Sequence, residues 1–351
     1  MLYTSDFDFE LPTDLIASHP LEKRDASRML VVGADGSLAD KHIRDFLDYL
    51  EPGDVVVFNN SRVIPARFNA TDAKGNVHEI TLHTATADNR IWWGLCRKYT
   101  KIHIGSVLTL ADGTTIRVIA HSDESGMQVM FNCGNVFDVL NRVGKMPLPP
   151  YIKREEELSD RERYQTVYAD EIGSMAAPTA GLHFTNELMQ EIEARGARIV
   201  KVTLHVGAGT WMPVKTEDIS KHKMHSEWCQ ITQSQADIIN NAKRVIAVGT
   251  TSMRTLETAA MDNRRLPVSM QNKRIIPVCR TTNIFITPGY DFGAVDVLLT
   301  NFHLPKSTLF MLVAAFSGLD EMRAAYSHAV AEKYRFFSYG DCCLLFKKGA
   351  K

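Results

Sequence analysis

Much is missing from this sequence, and each absence removes a class of protein. No apolar run approaches the ~18 residues that cross a bilayer; the longest, Leu309 to Phe316, is far too short. The opening residues carry Asp6, Asp8 and Glu10, with neither a basic nor an apolar segment, so no secretory leader is expected there. None of the six cysteines (Cys96, Cys133, Cys229, Cys279, Cys342, Cys343) forms a C-x-x-C pair, and only the last two are adjacent. That pattern disfavours a zinc site and a disulfide framework, and it fits a reducing cytoplasm. A basic coat is missing too: 40 Lys+Arg against 41 Asp+Glu leave a formal charge of -1. Any nucleic-acid partner must therefore be met through a local patch of cations. There is no internal repeat and no low-complexity tract.

What remains is an ordinary globular composition, 45% hydrophobic and 23% charged, which excludes disorder, collagen and coiled coil. At roughly 150 residues per domain the length of 351 suggests two domains. From Arg67 to about Asn132 the pattern is all-β. Short alternating runs (Val77 to Leu82, Ile91 to Leu95, Val107 to Leu110, Thr115 to Ile119, Met127 to Phe131) are separated by turns such as Lys74-Gly75-Asn76 and Ala111-Asp112-Gly113. Such spacing predicts a small antiparallel barrel. It is read as a domain of residues 67–132 inserted into a larger one made of 1–66 and 133–351.

After Gly173 strands and helices alternate. Arg198 to Val206, Arg244 to Val248 and Val295 to Thr300 read as strands. Helices are expected at Ser234 to Lys243 with Ser234 as cap, around Met253, Leu256 and Ala260, from Ser307 to Phe316, and from Asp320 to Phe336. The expected fold class is a large mixed α/β domain, a barrel-like sheet with helices, carrying the small β-barrel as an insertion. The charged stretch from Tyr151 to Tyr164 reads as a solvated loop or helix end.

Three of the expected strands end in loops of one character: His205-Val-Gly-Ala-Gly-Thr210, Gly249-Thr-Thr-Ser-Met-Arg254 and Thr300-Asn-Phe-His-Leu-Pro305. Ligands of α/β sheets sit outside the carboxyl ends of strands, where Gly allows close backbone approach and Thr or Ser leaves N–H groups aimed outward. Gly207 and Gly209 do not complete a dinucleotide fingerprint, because Met212 stands where the third Gly belongs. Arg254, a cation in a helix's first turn, opposes the helix dipole and so calls for an anion, either Glu257 or a ligand carboxylate. His183, His205 and His303 each lie in a polar loop. His222-Lys-Met-His225-Ser-Glu227 has a metal-like spacing but no third ligand of note, and metal binding is not expected. Two stretches suit nucleic acid: Trp92, Trp93, Arg97, Lys98, Tyr99 and Lys101 interleave aromatics with cations, and Arg264, Arg265, Lys273, Arg274 and Arg280 face the single acid Asp262.

Several blocks then point one way: Phe58-Asn-Asn-Ser-Arg-Val-Ile-Pro-Ala-Arg67, Met146-Pro-Leu-Pro-Pro-Tyr-Ile152, Ala176-Ala-Pro-Thr-Ala-Gly-Leu-His-Phe184, Val202-Thr-Leu-His-Val-Gly-Ala-Gly-Thr210, His225-Ser-Glu227, Val245-Ile-Ala-Val-Gly-Thr-Thr-Ser252, Thr300-Asn-Phe-His-Leu-Pro305 and Glu332-Lys-Tyr-Arg-Phe-Phe-Ser-Tyr-Gly-Asp341. Through them the chain resembles, end to end, the S-adenosylmethionine:tRNA ribosyltransferase-isomerases of queuosine biosynthesis. The resemblance implies an enzyme that uses S-adenosylmethionine as a ribosyl donor. It implies as partner a tRNA anticodon stem-loop carrying 7-aminomethyl-7-deazaguanine, with epoxyqueuosine-tRNA, adenine and methionine as products. It implies no cofactor beyond S-adenosylmethionine, a co-substrate, and neither metal nor membrane.

That chemistry needs groups titrating near neutrality, so His183, His205 and His303 are the candidate acid/base residues, with Glu227 orienting one of them or acting as base. Thr179, Thr210, Thr250 and Thr251 are candidates for ribose or adenine, with Gly207 and Gly209 giving close approach. Arg254 is the candidate for the methionine carboxylate. Arg62, after Asn59 and Asn60, is the candidate for a tRNA phosphate or the flipped base, and Tyr339 completes the binding set. The rival expectations are an S-adenosylmethionine-dependent RNA methyltransferase and a non-catalytic RNA-binding protein.

Overall fold

A computed structural model describes residues 2–123, 125–207, 214–271 and 273–349. In chain order the strands and helices are β1 (Arg28–Val32), β2 (Leu38–His42), β3 (Val55–Asn59), β4 (Ser61–Val63), β5 (Arg67–Thr71), β6 (Val77–Ala85), β7 (Ile91–Cys96), β8 (Val107–Leu110), β9 (Thr115–Ser122), β10 (Gly126–Phe131), α1 (Val136–Val143), α2 (Asp160–Arg163), β11 (Glu171–Ser174), α3 (Asn186–Ala194), β12 (Arg198–Leu204), β13 (Glu227–Ile231), α4 (Gln233–Asn240), β14 (Val245–Val248), α5 (Thr250–Arg264), β15 (Val278–Thr282), β16 (Val297–Asn301), α6 (Thr308–Ser317), α7 (Leu319–Ala331) and β17 (Cys342–Phe346).

Nine strands form the main sheet, in the order β15-β13-β12-β3-β14-β16-β17-β1-β2. Its centre, β12-β3-β14-β16, is parallel throughout. Every residue of β3, β14 and β16 is buried. Strands covered on both faces need continuous apolar runs, and Val55–Phe58 and Val245–Val248 supply them. Alternation then sorts the side chains: Val55 and Val57 enter one core, Val56 and Phe58 the other. The larger core takes α5 and α6, including the almost wholly apolar face of Phe310 to Ala314. Because the four central strands run the same way, the loops after β3, β12, β14 and β16 gather at one end of the sheet.

Strands β5 to β10 close into a six-stranded antiparallel barrel in the order β10-β7-β6-β5-β8-β9. The β7 sequence alternates half-buried and buried from Ile91 to Cys96, the period-2 signature of a strand with one face inside. Phe68, Ile80, Leu82, Leu108, Val118 and Val129 fill the interior. Helix α1, capped by Asn135 accepting from the Phe137 N–H, adds Val136, Val139 and Leu140 to the same core. Where the barrel joins the body, backbone bonds tie Arg67 to Lys145, and Gly144 lies so close that a Cβ there would sit 1.9 Å from the Pro65 carbonyl oxygen.

Details differ from the sequence reading. Helix α4 is capped by Thr232, not Ser234, because Gln235 reaches back to complete a capping box. Helix α7 stops at Ala331, not Phe336, where Lys333 turns left-handed and Tyr334 packs inward. Trp92 faces the barrel interior, its Nε1–H donating to the Asn89 carbonyl, so it cannot stack on RNA. The Tyr151–Tyr164 stretch is not a loose solvated segment: Asp160 is fully buried and takes both guanidinium arms of Arg154, at 2.7 and 2.8 Å.

Candidate active site

A cavity of about 380 Å³ opens where β14 and β16 end. The chain leaves β14 through Gly249, whose φ of 89° suits glycine and turns the backbone straight into α5. It leaves β16 through Thr300 to Pro305 and enters α6 at Ser307, whose Oγ accepts from the Phe310 N–H. The first turns of two helices, Thr250-Thr251 and Ser307-Thr308, thus border one cavity. First-turn N–H groups lack intrahelical partners and carry partial positive charge, so both helix starts favour electron-rich ligand atoms. Thr179 and Pro178 close a third side, with Phe302, Phe337 and Leu309 as apolar wall. No carboxylate lines the cavity among the described residues, and its only Lys or Arg, Lys306, pairs with Asp8 at 2.9 Å.

The three histidines divide. His303 lines the cavity. Its Nε2 lies 3.1 Å from Thr300 Oγ1, and its backbone N–H donates to the Tyr326 hydroxyl at 3.0 Å. Burial penalises the imidazolium and pushes its pKa down to about 3, well below the near-neutral titration the sequence reading expected of an acid/base residue, so the ring rests neutral in the unliganded protein. His205, at the end of β12, adjoins the cavity but does not line it. Its ring stacks on Trp228 with centroids 5.1 Å apart, and its Nδ1 meets Ser61 Oγ at 2.7 Å. Desolvation lowers its pKa as well. Gly173 makes room for that ring, since a Cβ there would approach it to 2.9 Å.

His183 does not reach the cavity. It sits behind Asn301, whose Nδ2 donates to the carbonyls of Phe337 and Asp341 at 3.1 and 3.3 Å and approaches His183 Nε2 at 3.1 Å. Two carbonyl partners fix the amide's orientation, so His183 Nε2 is the acceptor. Its Nδ1 therefore carries the proton and donates to Ser27 Oγ at 2.8 Å. Burial first, then the charges of Arg24 and Arg335, hold His183 down at about 4. The ring is a buried, neutral strut for Asn301. Asn301 itself lines the cavity with a buried Oδ1 that has no protein partner. Its signal in the sequence was its place at a strand end, beside Thr300 and His303.

The remaining candidates are placed as follows. Thr179, Thr250 and Thr251 line the cavity, and Thr251 Oγ1 is buried without a partner. Arg254 lies one turn further along α5, buried, and pairs with Glu227, not with Glu257. Glu257 instead accepts from the N–H groups of Gly293, Ala294 and Val295 at 3.0–3.1 Å. Glu227 also accepts from the Gly207 N–H at 2.9 Å, and it touches none of the three histidines in the hydrogen bonds of the described residues. Arg254 keeps Nε and Nη2 buried and unpartnered. Arg62 is exposed on β4, next to the Ser61–His205 contact. Asn59 is wholly buried and clamps the ends of β3 and β12 through the Leu204 N–H and carbonyl and the Ser61 N–H. Asn60 accepts from Thr203 Oγ1 at 2.8 Å. Tyr339 donates its hydroxyl to Asp160 at 2.7 Å. The side chains of Asn59, Asn60 and Tyr339 thus bond within the protein and do not line the cavity. Gly209 and Thr210 lie outside the described residues.

The family model described as queuosine biosynthesis protein matches residues 4–345. The chain belongs to the queuosine biosynthesis protein family. It is 47% identical to the S-adenosylmethionine:tRNA ribosyltransferase-isomerase of Maricaulis maris over 97% of this chain and 98% of that one. It also resembles the crystal structure of the S-adenosylmethionine tRNA ribosyltransferase of Thermotoga maritima, with a TM-score of 0.53 and 33% identity over 97% of this chain and 99% of the other. Family membership covers both the α/β body and the barrel.

Proposed function

We propose that this member of the family transfers and isomerises the ribosyl unit of S-adenosylmethionine onto the aminomethyl group of 7-aminomethyl-7-deazaguanine at the tRNA wobble position. The products are epoxyqueuosine-tRNA, adenine and methionine. The observation that supports it most, beside the family match, is the cavity at the strand ends. At about 380 Å³ it falls in the range of small-ligand sites, and it joins an apolar wall to a few buried polar groups.

The chemistry can be laid on that geometry. A proton must leave the carbon beside the sulfonium. With no carboxylate lining the described cavity, nothing there neutralises the sulfonium, and its full charge acidifies the adjacent C–H. His303 enters the reaction neutral and so can accept a proton but not supply one. In this reading it takes the proton first and only then has one to give to the departing adenine. Thr179, Thr250 and Thr251 hydrogen-bond the ribose or adenine, and Asn301 Oδ1 accepts from an N–H of the ligand. Arg254 does not itself line the described cavity; it is assigned to the methionine carboxylate on its two buried nitrogens without a hydrogen-bond partner, Glu227 holding the third. In this reading His205 and Arg62 meet the tRNA base and its phosphate.

The division of the chain into 1–66 with 133–351 and 67–132 is read as a division of labour, body for chemistry and insertion for RNA. S-adenosylmethionine is proposed as the sole small co-substrate, without a metal, so activity should survive a chelator. The cytoplasm is the proposed site of action, in keeping with six free cysteines.

One incubation tests the reading: the protein, S-adenosylmethionine, and tRNA bearing the aminomethyl base. Free adenine with methionine is the expected outcome. S-adenosylhomocysteine would identify a methyltransferase, and binding without turnover an RNA-binding protein.

A further inference from the structure

The two cation-rich stretches of the chain have opposite fates. Between residues 262 and 280 every cation is consumed: Arg264 by Asp291, Arg265 and Arg280 by Asp262, Lys273 by Asp237 and Arg274 by Asp296, all within 3.6 Å. That stretch therefore presents its cations already paired with carboxylates. Arg97, Lys98 and Lys101 on the barrel are exposed, and none of them forms an ion pair among the described residues.

These cations line a broad concavity of about 1280 Å³ on the barrel's outer face, together with Lys74. It shares no lining residue with the candidate active site. The turn that presents them is built, not loose. Lys98 takes the left-handed conformation (φ 58°), a sparsely populated one for a residue with a side chain. The N–H groups of Lys101 and Ile102 close the turn onto the carbonyls of Lys98 and Tyr99, both at 2.9 Å. Ile102 is buried beneath it, and the Tyr99 hydroxyl donates to the Ser122 carbonyl at 3.1 Å. The groove also holds three carboxylates, Asp72, Glu79 and Asp123, against the four cations Lys74, Arg97, Lys98 and Lys101; Asp72 is turned to Asn76 and His78, and Asp123 to the Tyr99 hydroxyl. Trp93, half-buried, shares the outward face of β7 with the groove residue Leu95.

We propose that this groove is a dock for an RNA sugar–phosphate backbone, with Arg97, Lys98 and Lys101 as phosphate contacts and Trp93 as a stacking surface. A fixed cluster of unpaired cations beside an outward aromatic matches a phosphodiester chain, which repeats a charge and offers a base to stack. The dock grips RNA away from the reacting nucleotide, since the groove and the cavity have no residue in common. It rests on the reading of tRNA as substrate.

The test is tRNA binding by the full chain carrying Arg97→Gln, Lys98→Gln and Lys101→Gln together, measured across a salt series. Affinity should fall at least tenfold at low salt, and the log–log salt slope should become shallower by about 2–3, one phosphate contact per cation. Binding of S-adenosylmethionine and the unfolding midpoint should stay as in the parent. An unchanged tRNA affinity and slope in the folded variant would overturn the dock. A Trp93→Ala variant gives an independent reading, expected to weaken tRNA binding severalfold with the salt slope unchanged; no change in its affinity would remove the stacking role. If the parent protein itself released no adenine with modified tRNA, the functional reading would fail, which is a different result from either.

Discussion

The cavity at the end of the parallel strands and the groove on the barrel are opposite kinds of site. The cavity is the smaller and more apolar-walled of the two, has no carboxylate among its described lining residues, and holds its polar groups by buried partners: Asn301 by two carbonyls and His183, His303 by Thr300 and Tyr326. The groove is open, and its charges stand on a turn in water. In the first, low dielectric makes each dipole count and a neutral histidine is the resting state. In the second, water screens each cation, and grip comes only from the number of contacts and varies with salt. A chain of net charge -1 can thus handle a polyanion without a basic coat.

Several measurements would break or sharpen this contrast. The largest effect is expected at Arg254. Removing it leaves the Glu227 carboxylate buried without its counter-ion, a loss of about 3–5 kcal/mol of stability. Arg254→Ala should therefore lower the denaturation midpoint strongly and confound any binding assay. The paired change Arg254→Met with Glu227→Gln should restore most of the stability while still weakening S-adenosylmethionine binding. Full binding in that double variant would remove Arg254 from the carboxylate site.

Next comes His303→Ala, expected to slow adenine release by about 100-fold or more, the usual contribution of an acid/base group. His183→Asn, by contrast, should act through Asn301 and on stability more than on the chemical step. Equal rate losses in both variants would erase the distinction drawn between the two rings.

Gly144→Ala should cost about 1–3 kcal/mol as backbone is forced apart at the barrel junction, where the new Cβ would overlap the Pro65 carbonyl. Thermal unfolding checks this, and an unchanged midpoint would show that the junction yields freely.

The effect of pH is graded, spread over several pH units. Folding depresses the pKa of His183 to about 4 and of His303 to about 3. The unfolded chain therefore takes up protons first as the solution is acidified. The stability from keeping the rings neutral is whole above about 6.5 and declines as pH falls toward the folded values. Each ring contributes a slope of about 1.4 kcal/mol per pH unit within that window. Denaturant titrations at pH 7, 6 and 5 read this, and His183→Asn should reduce the slope.

How much of this the sequence carried depends on the range of the interaction. The barrel was legible because strict alternation, as in Ile91–Cys96, is local. The gathering of loops at one sheet end was legible because Gly and Thr mark strand ends. Which histidine faces the cavity was not, because His183 is fixed by Ser27 and Asn301, 156 and 118 residues away. For Arg254 the sequence offered Glu257 or a ligand carboxylate as the anion; its protein partner is Glu227, named by neither alternative, because only tertiary packing brings β13 to α5. Asn59 and Tyr339 look identical on paper to ligand-binding residues. Their partners, Leu204 and Asp160, are brought to them by strand pairing and by the buried Arg154 pair.

The central claim is that S-adenosylmethionine loses its ribosyl unit, and not its methyl group, in the cavity built on Thr250, Asn301 and His303. The direct measurement is product analysis of a single incubation with tRNA carrying the aminomethyl base. Adenine and methionine in equal amounts, matched by epoxycyclopentanediol on the tRNA and strongly reduced in His303→Ala, are the outcome this account predicts. Accumulation of S-adenosylhomocysteine, or adenine release unaltered by His303→Ala, would contradict it.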